Sequence, residues 1–197
     1  VQARLEGEDP PHLTFDEAVS LVVALMVAGN ETTATALTNL FFILATRPDI
    51  AEKLASSVDD ERLLTRFIEE LLRWEAPVRG ITRMTTKEVE LGGITLPVGA
   101  HLLLLYASAN DDETVFSCPR EFDIDRPNLG RHASFGGGVH RCAGAALARM
   151  ELKVAAREIS KRMDEIRLAV PIDQISYVPT VATHTIGKLP MTFTRRK

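Results

Sequence analysis

Cysteine is scarce: the 197-residue chain holds two, Cys118 and Cys142. So few cysteines build no disulfide framework and fit a reducing cytoplasm. Long basic runs are missing too, and a formal net charge of -4 gives no reason to expect a nucleic-acid partner. Val1 to Pro11 has neither the apolar stretch nor the cleavage pattern of a signal peptide, so residues 1–13 read as a solvated lead-in. The longest apolar run, Ala18 to Gly29, is interrupted by Ser20 and followed by Asn30 and Glu31. It is read as too short to cross a bilayer, and no membrane segment is expected. There is no internal repeat. What remains is ordinary, 45% hydrophobic and 25% charged, and long enough for one sizeable core.

Patterning predicts mainly helix with small sheets. Thr14 and Glu17 have the spacing of a capping box and open a helix running to about Thr46, stopped by Arg47-Pro48. Its nearly all-round apolar first half predicts a central element. A short helix is expected over Pro48 to Ser56, and another from Asp59-Asp60 to about Trp74, ended by Pro77. Val89 to Leu96 around Gly92-Gly93 reads as a hairpin and His101 to Tyr106 as a strand. Loop is expected from Asp111 to Arg131, a helix after Cys142 to about Met163, and strands near Ser176–Val178 and Leu189–Phe193.

Several groups carry chemistry, and taken singly each admits two readings. In Phe135-Gly136-Gly137-Gly138-Val139-His140-Arg141-Cys142-Ala143-Gly144, one cysteine stands where a glycine-rich loop turns into a helix of strong formers. Glycines let a large flat group approach the main chain, and the positive helix end favours an anionic sulfur. Cys142 is therefore either a thiolate metal ligand or a structural cysteine beside a turn. Glu70 and Arg73 either form a surface salt bridge or a hydrogen-bonded unit with a structural task. Ala28-Gly29-Asn30-Glu31-Thr32-Thr33 either distorts the long helix, freeing carbonyls to hold water or a diatomic ligand, or is a helix tolerating small polar residues. Arg131, Arg141, Arg149 and Lys153 form either a basic face for an acidic partner or a solvated helix surface.

In combination these motifs resemble the cytochrome P450 family. Phe135, Gly138, Cys142 and Gly144 have the spacing of its haem-binding loop, whose cysteine is the proximal ligand of haem iron. The resemblance implies haem b held by Cys142, with Phe135, Gly136, Gly138 and Gly144 shaping the loop and the sulfur favouring O–O cleavage. It implies that Glu70 and Arg73 are the E-x-x-R pair that props this loop. Their third basic partner stays open between Arg120 and Arg126, because Glu121 occupies its usual place, and Asp111 stands where Arg commonly follows the Asn. The A-G-x-E/D-T motif implies that Thr32 stabilises iron-bound dioxygen, that Glu31 helps deliver protons and that Ala28 faces the haem. His140 and Arg83 are implied to hold the haem propionates. Val78, Gly80, Ile81, Thr82 and the turn at His184 are implied to shape the substrate pocket. By resemblance to soluble bacterial members, the partners are a ferredoxin-like electron donor with its reductase, dioxygen and a small apolar organic substrate.

The resemblance runs from Thr14 to Phe193 and corresponds to the C-terminal half of the family fold. The N-terminal half, which supplies helices over the distal pocket, is absent, so exposed apolar faces are expected to drive self-association. The implied function is a cytoplasmic haem-thiolate monooxygenase. The alternative is a haem-binding or interaction module without turnover.

Overall fold

A computed structural model describes residues 13–196; apart from Leu13, the lead-in expected over residues 1–13 lies outside them. Helix α1 (Phe15–Thr46) opens with the expected capping box. The Thr14 hydroxyl accepts the Glu17 N–H at 3.3 Å, and Glu17 Oε2 accepts the Thr14 N–H at 2.9 Å. Pro48 then starts α2 (Pro48–Ser57) at a helix position where its missing N–H costs nothing. Helix α3 (Glu61–Trp74) is capped by Asp60, whose carboxylate accepts the N–H groups of Arg62 and Leu63.

One core joins these helices to α5 (Ala145–Arg162). Leu40, Ile43 and Leu44 of α1 pack with Leu54 of α2, Phe67, Ile68 and Leu71 of α3, and Leu152, Ala156 and Ile159 of α5. Phe122 and Ile124, from an irregular segment, complete it.

Three antiparallel strand pairs lie at the side, giving the expected mainly helical architecture with small sheets. Strand β1 (Gly80–Met84) pairs with β4 (His101–Leu105), β2 (Val89–Leu91) with β3 (Ile94–Leu96), and β5 (Met163–Leu168) with β6 (Met191–Arg195). The β2–β3 hairpin turns on Gly92 and Gly93, both with positive φ. Some boundaries differ from the sequence reading. Tyr106 leaves its strand to begin the short helix α4 (Tyr106–Asn110). Helix α5 stops at Arg162, and Met163 begins a strand because β6 supplies it with an edge. Near Ser176–Val178 there is only an isolated bridge, Tyr177 to Ile186.

One expectation about α1 needs correction: its apolar first half, read as a central element, is exposed. The helix is continuous through Ala28–Thr33, because the Thr32 hydroxyl donates to the Ala28 carbonyl at 2.7 Å without opening the ladder. It runs on to Thr46, as expected. At 32 residues and a mean hydropathy of 1.3 over its most apolar stretch, α1 is long and apolar enough, by length and composition, to cross a bilayer. Its two halves differ in surroundings: Leu40 and Ile43 are fully buried, whereas Phe15, Val22, Val23, Met26 and Val27 are exposed.

Asp60→Ala removes the α3 cap and is expected to cost about 1 kcal/mol. The check is a lower urea midpoint with an unchanged slope.

Candidate functional site

The glycine loop presents its cysteine by closing on itself. The Cys142 N–H donates to the Phe135 carbonyl at 2.9 Å, and between them Gly138–His140 make one 3-10 turn. Gly136 has φ 64°, and a Cβ there would stand 3.3 Å from the Tyr106 hydroxyl, so position and conformation both call for glycine. Gly138 has φ 63° and open space around it. The Cys142 side chain is exposed, as is His140, and the Ala145 N–H bonds the Cys142 carbonyl where α5 begins. Among the described residues no three His, Cys, Asp or Glu side chains converge on a metal site. Cys142 is thus a single sulfur donor, as suits a metal whose other ligands come with a cofactor.

Behind the loop, α3 carries a completely buried ion pair. Arg73 Nε and Nη2 donate to the two oxygens of Glu70, both at 2.8 Å, and both side chains have 0% exposure. The third partner is Arg126, whose Nε reaches Glu70 Oε1 at 3.1 Å. Its Nη2 donates to the carbonyls of Cys118 and Glu121. Arg120 instead pairs at the surface with Asp111 at 2.6 Å, which gives the acidic residue after Asn110 its partner. Arg73 Nη1 also donates to the Asn110 carbonyl. The Asn110 amide in turn accepts the Ala133 N–H at 2.7 Å and donates to the Ser134 hydroxyl at 2.8 Å, two residues ahead of Phe135's turn. The pair therefore props the cysteine loop through Asn110.

A second network escaped the sequence reading. Glu69 accepts Arg149 Nε at 2.5 Å and Nη2 at 2.9 Å, and its Oε2 also meets His132 Nε2 at 3.0 Å. Burial pushes the Glu69 carboxyl up, but the bonds from Arg149 and His132 outweigh it and hold the group at about 2. The Arg149 guanidinium lies 4.3 Å from the Phe135 ring centre. Arg149 is thereby removed from the basic face expected around the loop, and Lys153 is engaged at 2.5 Å by Glu61. Arg131 and Arg141 remain exposed. His132 and Glu69 sit in no recognisable motif; two adjacent glutamates on an amphipathic helix were the only signal.

On α1, Ala28 and Glu31 are exposed and Thr32 is half-buried. The neighbouring Thr33 hydroxyl donates to Glu151 of α5 at 3.4 Å, and Thr35 bonds Thr185 at 3.1 Å. The Glu31–Thr35 stretch thus spans from the helix that follows Cys142 to the turn holding His184. Val78 bridges Thr183 at that turn, Gly80 is buried, Ile81 is half-buried and Thr82 exposed. A Cβ at Gly80 would meet the Leu104 carbonyl at 2.9 Å. Arg83 makes no ion pair among the described residues and donates only to the Thr82 carbonyl. His184, expected to shape the pocket, is half-buried. Its Nδ1 meets Glu75 Oε2 at 2.9 Å and its ring stacks on Tyr177 at 4.1 Å, so the imidazole is already partnered.

Comparison with known proteins places these features in one family. The family model for cytochrome P450 matches residues 1–161. Cytochrome P450 144 of Mycobacterium tuberculosis is 40% identical over 87% of this chain and 38% of its own length. The monooxygenase PikC of Streptomyces venezuelae is 35% identical over 98% of this chain and 45% of its own. Among solved structures, cytochrome P450 CYP150A6 of Mycobacterium marinum superposes with a TM-score of 0.85 at 35% identity, covering 92% of this chain and 45% of that one. The chain spans less than half the length of these relatives.

Arg126→Met leaves the buried Glu70 carboxylate short of a partner and strips the cation from the Ser117 and Cys118 carbonyls. A loss of about 3 kcal/mol is expected in urea unfolding. Glu69 supplies a pH dependence: its carboxyl is held at about 2 against an ordinary 4.5, so its contribution is complete above pH 4.5 and lost as pH falls towards 2. Urea midpoints taken downward from pH 5 should fall for the parent and fall less for Glu69→Gln.

Proposed function

The chain belongs to the cytochrome P450 family, and from that premise we propose that it is the haem-carrying portion of a haem-thiolate monooxygenase. The observation that carries this reading is an exposed Cys142 thiol on a self-closed glycine loop, braced from behind by a buried ion pair. Haem suits the residues present. Nothing stands within 4 Å of where a Cβ would lie at Gly137 or Gly138, so a flat ligand meets backbone and not side chains. The unpaired Arg83 and the exposed His140 suit two carboxylates at the rim of such a ligand.

Bound haem supplies the activation of dioxygen, by which one oxygen atom enters a C–H bond of an apolar substrate and the other leaves as water, with two electrons and two protons consumed. Cys142 would hold the group through its sulfur. Thr32 donates its hydroxyl to the Ala28 carbonyl, and its lone pairs stay free to accept a hydrogen bond from a proton-carrying group; relaying that proton onward requires the Ala28 bond to be released. Glu31 stands in solvent beside it. Together they move protons along α1 towards the reacting face. Val78, Gly80 and Ile81 line the approach, and the strand pairing behind Gly80 sets their depth. Electrons come from an external ferredoxin-like donor with its reductase, and two free cysteines suit a cytoplasmic setting.

The bare first half of α1 supports a second reading. With Phe15, Val22, Val23, Met26 and Val27 uncovered, this chain alone holds haem without enclosing a substrate, and self-associates through that face.

The reduced, carbon monoxide-treated protein is expected to show the red-shifted absorption of thiolate-ligated haem. Cys142→Ala should abolish it, and an unchanged spectrum there removes the ligand assignment. With an electron donor, Thr32→Ala should lower product formed per electron at least about tenfold, the scale of a lost proton relay. Absence of product from the parent chain, with the spectrum intact, selects the second reading.

A further inference from the structure

Glu69 holds two groups against one ring. Arg149 lies 4.3 Å from the Phe135 ring centre, and the His132 ring lies 5.9 Å away at 48°. Both are bonded to the same carboxylate. The Ser134 N–H points at His132 Nδ1 at 3.3 Å, so that nitrogen accepts and the proton sits on Nε2, facing Glu69. The bidentate Arg149–Glu69 contact makes those two the paired charges of the cluster. The Phe135 carbonyl receives the Cys142 N–H, which connects the clamped ring directly to the ligand residue.

We propose that Glu69 is a positioning residue that fixes the Arg149 guanidinium behind the Cys142 loop and neutralises it there, so that the two together set the reduction potential of an iron bound to Cys142. The inference rests on the haem reading above and goes beyond it, because a resident cation is here assigned to the iron and not to a partner protein. Its direction follows from Coulomb's law: a nearby positive charge stabilises the reduced iron and raises the potential, and a paired carboxylate cancels most of that field. Arg149 rises from α5 seven residues after Cys142 and lies against the ring of Phe135, whose carbonyl accepts the Cys142 N–H. Arg149 is only a quarter exposed and Glu69 less, so solvent screens the pair weakly.

The test is spectroelectrochemical titration of the ferric–ferrous couple in the haem-loaded protein. Glu69→Gln, which unmasks the cation, is expected to raise the potential. Arg149→Met should lower it, and the double variant should return towards the parent value. Arg149→Lys, which keeps the charge and loses the bidentate contact, should stay closer to the parent than Arg149→Gln. If Arg149→Met does not fold, this second comparison carries the same sign. Shifts of one sign in both single variants, or a double variant displaced further than either, reduce the cluster to a packing role and overturn the proposal. An unmoved potential does the same while the thiolate spectrum of the parent persists. A parent without that spectrum overturns the haem reading instead, and the tuning role with it.

Discussion

Everything near Cys142 depends on a charge that is out of water. Glu70 and Arg73 are fully buried, and Arg126 is nearly so. One anion among two cations leaves a net positive charge in the interior, tolerable only if every remaining donor finds an acceptor. Backbone carbonyls do this work: Asn110, Ser117, Cys118 and Glu121 all point their oxygens at the two guanidinium groups. A segment that would otherwise be a loose proline-rich loop is thereby fixed. Cys118 accepts a positive φ of 45° within it, a conformation a non-glycine residue holds only when its surroundings dictate it.

The adjacent carboxylates of α3 divide the task. Successive residues on a helix point about 100° apart, so Glu69 and Glu70 cannot serve the same neighbour. Glu70 takes the irregular segment before the loop, through Arg126 and the Asp123 N–H. Glu69 takes the loop entry at His132 and the helix that follows the loop at Arg149. The cysteine turn is consequently gripped at entry and exit by one helix, while Asn110 holds its middle approach. Such double anchoring places a ligand atom with little freedom left to lose on binding.

How much of this the sequence disclosed varied with the range of the interaction. Helix starts were legible because caps are local: Thr14 with Glu17 and Asp60 with the next turn each need only three residues. The Cys142 loop was legible because its glycines answer a backbone constraint that leaves a sequence trace. The choice of Arg126 over Arg120 was not, since it depends on which side chain the fold carries inward, and both flank Phe122 within a few residues. Glu69, His132 and Arg149 are separated by up to 80 positions, and no local pattern links them. The β5 strand was hidden for a similar reason: Met163–Leu168 continues a helical composition and becomes a strand only because β6 lies beside it. The His184–Glu75 contact was likewise invisible locally, since the two lie 109 residues apart.

The asymmetry of α1 separates what this chain builds from what it awaits. Its second half lies in the same core as α3 and α5, so the proximal side of the site is completed by contacts internal to the chain. Its first half exposes Val22, Val23, Met26 and Val27, so the opposite side is lined on one wall only. An apolar face left in water is unfavourable at roughly 25 cal/mol per Å². The bracing of the Cys142 loop is therefore internal to the chain and set by buried charge, whereas the apolar half of α1 has no such partner among the described residues.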